Sequence, residues 1–260
     1  MIEARHLFSL EGKVALVTGG GQGLGQAIAE GMAQHGAMVS VVDLNLDGAE
    51  AVAKDIIASG GQSIAVKCDV SQENQARAAV DRTLEKLGRI DILVANAGIG
   101  DRNPAEDMTM QQWDRVIGIN LRGVWLFDQL VGKAMISGGH GGSIVNMASI
   151  AGQVGLTTGN ANYSASKGGI IALTRCLAVE WARFAIRVNA IAPVQFKTPL
   201  VLNLIKQKPE TEDYFVRRIP LGRMGEVGEI VGPAIFLASS ASSMVTGHIL
   251  NVDGGAVASF

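Results

Sequence analysis

The sequence predicts an α/β fold, a doubly wound sheet of about seven parallel strands with helices on both faces. Short β-branched runs alternate along the chain with longer helical patterns, as a series of βαβ units would. Each strand candidate is a continuous apolar run instead of a strict alternation, as expected of strands covered on two sides. With 260 residues, 48% of them hydrophobic, the chain can bury about 70–75% of its unfolded surface without disulfides or structural metal.

The elements follow in order. KVALVT (13–18) is the first strand and leads into a helix near 23–35; MVSVVD (38–43) is the second, with a helix near 46–59. SIAVKC (63–68) is followed by a helix near 72–87, and DILVAN (91–96) by a long helical region over 106–137. GSIVNMAS (142–149) precedes a helix over 160–184, and IRVNAIA (186–192) is the sixth strand. Pro193, Pro199, Pro209 and Pro220 lie among Lys and Glu in 193–222, which reads as an irregular, mobile lid. A helix near 226–238 and the strand HILNV (248–252) complete the pattern. Neither linker nor internal repeat interrupts it, so 1–260 reads as a single domain.

Charge and composition remove several function classes. The 22 Lys and Arg against 24 Asp and Glu give a net of −2, with the signs interspersed, so the basic stripe of a nucleic-acid protein is absent. Cys68 and Cys176 stand far apart in apolar settings, which excludes a disulfide scaffold, a zinc ribbon and a CxxC motif and suggests a reducing compartment. His6, His35, His140 and His248 have no ligand spacing, so no metal is expected. The start, MIEARHLFSLEGKVALV, carries neither a signal-peptide core nor a lipidation motif, so a cytoplasmic location is expected. Residues 134–166 lack charge but are rich in Gly, Ser, Asn and Gln, so no membrane span is expected. Trp113, Trp125 and Trp181 read as core or subunit-interface anchors.

Glycine numbers 33, nearly twice the usual share of about 7%, and without a repeat this marks tight turns and close ligand approach. The first such place is Thr18-Gly19-Gly20-Gly21-Gln22-Gly23-Leu24-Gly25, between the first strand and the first helix. A pyrophosphate is suited there, because glycine lets backbone N–H groups approach and a helix N-terminus favours negative charge. Asp43 ends the second strand, where a carboxylate accepts from ribose hydroxyls and repels a 2′-phosphate. Leu44 and Asn45 follow without a basic residue, so the expected cofactor is NAD.

Tyr163 and Lys167 stand four apart, on one face of a helix. An ammonium beside a phenol stabilises the phenolate and lowers its pKa, which makes the pair a candidate proton shuttle. Ser149 and Asn96-Ala97-Gly98 end strands, at the carboxyl edge where parallel sheets bind ligands. Asn120 is an unusual residue for a helix interior.

In combination, TGGGQGLG, Asp69-Val70, Asn96-Ala97-Gly98, Asn120, Ser149, YSASK and the terminal Val252-Asp253-Gly254-Gly255 resemble the short-chain dehydrogenase/reductase superfamily from about residue 10 onward. The resemblance implies a one-domain Rossmann-type fold and a tetrad of Asn120, Ser149, Tyr163 and Lys167. It implies that Tyr163 takes the alcohol proton, Ser149 holds the substrate oxygen, Lys167 binds the nicotinamide ribose and lowers the Tyr163 pKa, and Asn120 holds a water. By the same similarity Gly19, Gln22, Gly23, Leu24, Gly25, Asp43 and Leu44 line the cofactor, together with Asp69, Val70, Asn96, Ala97, Gly98, Pro193, Val194 and Thr198. Val194 departs from the family pattern, which has glycine after this proline. A homotetramer is also implied, with the helices around 106–137 and 160–184 at one interface.

Substrate-facing candidates are the loop Ile99-Gly100-Asp101-Arg102-Asn103, Ile150 to Gln153, Asn160, Val194, Gln195 and 199–215. Asp101, Asn103, Gln153, Asn160 and Gln195 supply donors and acceptors that suit a polyol or sugar alcohol. The expected activity is therefore NAD-dependent interconversion of a small secondary alcohol and its ketone. A 3-oxoacyl carrier-protein or broad ketone reductase is the alternative, and a non-catalytic NAD-binding subunit a remote one.

Overall fold

A computed structural model of the protein describes residues 6–157 and 159–259. Seven strands, β1 (Val14–Thr18), β2 (Met38–Asp43), β3 (Ser63–Lys67), β4 (Ile92–Ala95), β5 (Gly142–Met147), β6 (Ile186–Pro193) and β7 (Ile249–Val252), form one sheet. All pair in parallel, in the order β3-β2-β1-β4-β5-β6-β7.

Two cores explain the continuous apolar runs. On β1, Leu16 packs into one core while Ala15 and Val17 pack into the other; on β4, Leu93 and Ala95 face the first and Ile92 and Val94 the second. The first core is closed by α3 (Glu73–Leu87), α5 (Gly123–Gly138) and α6 (Ala161–Trp181), through residues such as Val80, Phe127 and Ile170. The second is closed by α1 (Gly23–Gln34), α2 (Leu46–Ala58) and α9 (Val231–Ala238), through Ile28, Val52 and Ile235. Each such apolar side chain, fully buried, contributes about 1.5–3 kcal/mol, so the central strands are held from both sides.

The long helical region is finer-grained than its pattern. Thr109 and Gln112 form a capping box that starts α4 (Met110–Ile117), and a π turn, Gly118–Arg122, joins α4 to α5. The largest difference falls in 193–222. This segment is not irregular: it holds α7 (Pro199–Gln207) and α8 (Glu210–Val216). Pro199 occupies the first turn of α7 and Pro209 immediately precedes α8, positions where the missing N–H costs nothing, so the prolines mark helix starts. These helices close a third, small core in which Phe215, Ile219 and Met224 pack with Val194 and Leu204.

Cys176 is exposed on α6, against the apolar setting its neighbours suggest, whereas Cys68 is buried. Trp125 is 38% exposed, so it anchors no core within the chain. Beneath the β5 and α6 interface, Asp128, Asn146 and Thr174 form a wholly buried polar group: Asn146 Nδ2 donates to Asp128 Oδ2 (3.0 Å) and Thr174 Oγ1 (3.2 Å). Among the described residues, no helix is long and apolar enough to cross a membrane, and no group of three or more His, Cys, Asp or Glu could hold a metal ion.

Candidate active site at the carboxyl edge of the sheet

The strand order reverses between β1 and β4, and the loops leaving these strands diverge to open a cleft of about 720 Å³. One end is built on the glycine turn. Gly19 has φ +63°, and a Cβ there would lie 2.8 Å from Ala97 Cα. A Cβ on Gly25 would lie 2.0 Å from the Gly19 carbonyl oxygen, so only glycine lets α1 pack under the turn. Gly25 accordingly lies behind the cleft wall, whereas Gly19, Gln22, Gly23 and Leu24 line it. Gln22 makes no side-chain cap, which leaves the first N–H groups of α1 without a capping acceptor. Shape and donors fit a dinucleotide pyrophosphate.

Asn96 lines the cleft, but its side chain is spent on the turn, with Nδ2 donating to the Thr18 (3.1 Å) and Gly19 (3.0 Å) carbonyls. Thr18 Oγ1 in return accepts from the N–H groups of Asn96 (3.0 Å) and Ala97 (3.2 Å). The two strand ends are thus locked together. Asp43 accepts from Gly21 N–H and Asn45 N–H, each at 2.9 Å, which fixes its carboxylate at the lip beside Leu44. Asp69 and Val70 line the same end; burial, with a lesser push from the Asp69 charge, raises the neighbouring Cys68 thiol to about 12. Ala97 and Gly98 line the middle of the cleft, and Pro193, Val194 and Thr198 its far wall. Thr198 caps α7 by accepting from Val201 N–H (3.3 Å) and approaches Gly23 across the cleft.

At the other end Ser149, Tyr163 and Lys167 converge. The Ser149 hydroxyl lies close enough to Tyr163 to act on its pKa, and it accepts from Ala151 N–H (3.1 Å). Lys167, 4% exposed, donates from Nζ to the Met147 carbonyl (2.6 Å), with Nζ 5.6 Å from the Tyr163 ring centre. Burial lowers the Lys167 pKa to about 8. Burial also raises the Tyr163 pKa, opposed by the Ser149 hydrogen bond and then by the positive charge of Arg102.

The remaining expected residues divide between the cleft and its supports. Asn120 lies in the π turn, fully buried and off the cleft wall. Its Oδ1 accepts from Ile99 N–H (2.8 Å), while Nδ2 donates to the Ile99 carbonyl (2.9 Å) and to Ser166 Oγ (3.2 Å). The side chain therefore braces the loop after β4 and ties it to α6. Gln153 is exposed and donates to Asn251 Oδ1 (2.7 Å), away from the cleft, because the 3-10 turn after Ser149 carries it outward. Asp101 accepts from Gln112 (3.2 Å), and Asn103 donates to the Asp107 carbonyl (2.7 Å); neither lines the cleft. Asn160 and Gln195 do line it, with Arg102 and Leu156. Arg102, in the loop expected to face the substrate, lines the cleft, whereas Arg218 lies outside every substrate-facing stretch the sequence marks. Nothing local marks Arg218; it reaches the site only because α8 folds back over it.

A dinucleotide cleft ending in a Ser, Tyr and Lys cluster defines the class of protein: an oxidoreductase that acts on CH–OH groups with a nicotinamide dinucleotide. A family model described as enoyl-(acyl carrier protein) reductase matches residues 19–257. The chain belongs to that family, within the short-chain dehydrogenase/reductases. It is 43% identical to D-threitol dehydrogenase of Mycolicibacterium smegmatis, over 95% of this chain and 94% of that one. Among solved structures it resembles a gluconate 5-dehydrogenase from Burkholderia cenocepacia J2315 in complex with NADP and tartrate, at 36% identity and TM-score 0.93, covering 98% of this chain and 99% of that one. It also resembles a 7α-hydroxysteroid dehydrogenase complexed with NADH, at 37% identity and TM-score 0.92, covering 98% of each chain.

Proposed function

We propose that the protein is an NAD-dependent dehydrogenase that interconverts a secondary alcohol and a ketone on a small polyhydroxylated substrate. The observation that carries this reading is one cleft with Ser149, Tyr163 and Lys167 at one end and Asp43 at the other, where no Lys or Arg lines the wall. NAD, when bound, supplies the hydride acceptor. The N-terminus of α1 is suited to its pyrophosphate, and the Asp43 carboxylate to ribose hydroxyls in place of a 2′-phosphate.

In the oxidative direction Tyr163 Oη, as phenolate, takes the proton of the substrate hydroxyl. Ser149 Oγ holds the substrate oxygen by a hydrogen bond and stabilises charge on it. Lys167 carries a positive charge beside the phenolate; with a pKa of about 8 it is mostly protonated at neutral pH. Asn120 acts as a positioning residue that fixes Ile99 beside the cleft. The lid, 193–222, closes the substrate end, and the relative that oxidises threitol supports a polyol as substrate. The exposed Trp125 and Val179 on α5 and α6 suit a homotetramer, which a solution mass tests.

The test follows NADH absorbance with NAD or NADP and a panel of polyols, secondary alcohols and vicinal diols, with Tyr163→Phe as control. NAD-linked oxidation of polyols that is absent in the control is the expected result. Turnover confined to ketones or acyl thioesters, and with NADPH, would overturn the reading.

A further inference from the structure

Beyond Tyr163 the cleft runs into a side cavity of about 20 Å³, roughly the room that one water or one carboxylate oxygen occupies. Its wall shares Arg102, Asn160 and Gln195 with the main cleft and adds Tyr214, Phe215 and Arg218. The charges on these walls are segregated. The carboxylates lining the main cleft are Asp43 and Asp69, both at the glycine-turn end, and none lines the side cavity.

Each arginine lies over an adjacent ring of α8. The Arg102 guanidinium is 5.8 Å from the Phe215 ring centre, and that of Arg218 is 4.1 Å from the Tyr214 ring centre. Arg218 also donates to Thr157 Oγ1 (3.2 Å). Among the described residues, neither has a carboxylate within ion-pair distance. Stacking on a ring orients a guanidinium yet leaves donors at its edge for a ligand, and that fork matches a carboxylate.

We propose that Arg102 and Arg218 form an anion subsite, so that the preferred substrate is a polyhydroxy acid whose carboxylate lies there while a secondary hydroxyl lies at Ser149 and Tyr163. This inference rests on the alcohol-oxidising reading above and narrows its substrate class from neutral polyols to their acids. The side cavity's size favours a planar carboxylate over the three oxygens of a phosphate.

The experiment compares kcat/KM for four- to six-carbon aldonates, matching alditols and alditol phosphates in the wild type, Arg102→Ala, Arg102→Lys and Arg218→Ala. The expected wild type favours aldonates over alditols at least tenfold at low salt, and less as salt rises. Removing either arginine should lower that ratio about 10- to 100-fold, mainly through KM, with Arg102→Lys intermediate. Alditols used as well as aldonates, with a ratio unmoved in Arg102→Ala, would overturn the proposal, and so would preference for the phosphates. A second measurement separates this failure from that of the broader reading. D-Gluconate binding to the NADH complex, followed by NADH fluorescence, should weaken in Arg102→Ala even if no alcohol turns over. Equal binding in both proteins would count against the subsite, and circular dichroism of Arg218→Ala guards against a variant that fails to fold.

Discussion

At the end of β1 the cleft is made of backbone, and at the end of β6 it is made of side chains. The glycine turn, the uncapped start of α1 and the Thr18 and Asn96 lock form a cradle whose side chains bond to its own backbone, while the first N–H groups of α1 have no side-chain cap. Opposite it, Arg102, Asn160, Gln195, Tyr214 and Arg218 come from four separate segments, and α7 and α8 rest on a small core of their own. A backbone cradle recognises what all its ligands share; a wall of side chains from a lid recognises what distinguishes them. Dinucleotide binding should therefore be sensitive to added atoms at one end, and substrate choice to side-chain exchange at the other.

The largest effect should come from Tyr163, at the junction of the two ends. Tyr163→Phe should lower kcat by about 10²- to 10⁴-fold, while NADH affinity, read by fluorescence, shifts by no more than about twofold. Loss of NADH binding in that variant would mean that the residue holds the cleft together instead of moving a proton. Next comes Gly25→Ala, whose Cβ would meet the Gly19 carbonyl oxygen at 2.0 Å. Overpacking of this kind costs about 1–3 kcal/mol, and it should fall on NAD binding and on Tm. Val194→Gly removes a side chain that packs against the lid core. It should change KM severalfold, speed hydrogen exchange in α7 and α8 and leave the glycine turn untouched. If the two substitutions gave the same pattern, the contrast between cradle and lid would fail.

A smaller effect tests Asp43, the side chain proposed to favour NAD over NADP. Asp43→Ser should lower the preference for NAD over NADP about 10- to 100-fold through lost carboxylate hydrogen bonds and lost repulsion of a 2′-phosphate. Because Asp43 also accepts from Gly21 N–H, some loss of overall affinity should accompany it. An unchanged ratio would assign Asp43 to bracing alone.

The same contrast explains what the sequence could reveal. Strands buried on both faces announce themselves as apolar runs, and a glycine turn or a Tyr and Lys one helical turn apart lies within a few residues, so β1 to β7, Gly19 to Gly25 and Tyr163 with Lys167 were legible. The lid was not, because Pro199 and Pro209 signal a helix start or a loop equally well until packing decides. The direction of Gln153, Asp101 and Asn103 was hidden as well: a polar residue near a strand end faces the cleft or its neighbours according to the turn that carries it. Asn120 was singled out for the right oddity, a polar residue inside a helix, but its bonds to Ile99 depend on a π turn that no spacing reports.

The smallest effect concerns the floor under the substrate end. Asp128 lies wholly buried beneath β5, which leads into Ser149, and α6, which carries Tyr163, and burial raises its pKa from 3.8 to about 8, against the pull of the Asn146 hydrogen bond. Asp128 Oδ1 and Asn146 Oδ1 are both buried without a hydrogen-bond partner. Two such acceptors lack a hydrogen between them, and a protonated Asp128 carries one. Folding thus binds a proton that the unfolded chain has released at neutral pH. The stability it contributes is full below about pH 4 and is lost progressively as pH rises to about 8. Asp128→Asn keeps the shape and cannot ionise, so its Tm should rise relative to the wild type as pH goes from 5 to 9. Hydrogen exchange should place the alkaline loosening of the wild type in β5 and α6 and not in β1 and α1. A Tm difference flat across that range would mean that Asp128 is already charged in the folded protein, held by groups other than Asn146.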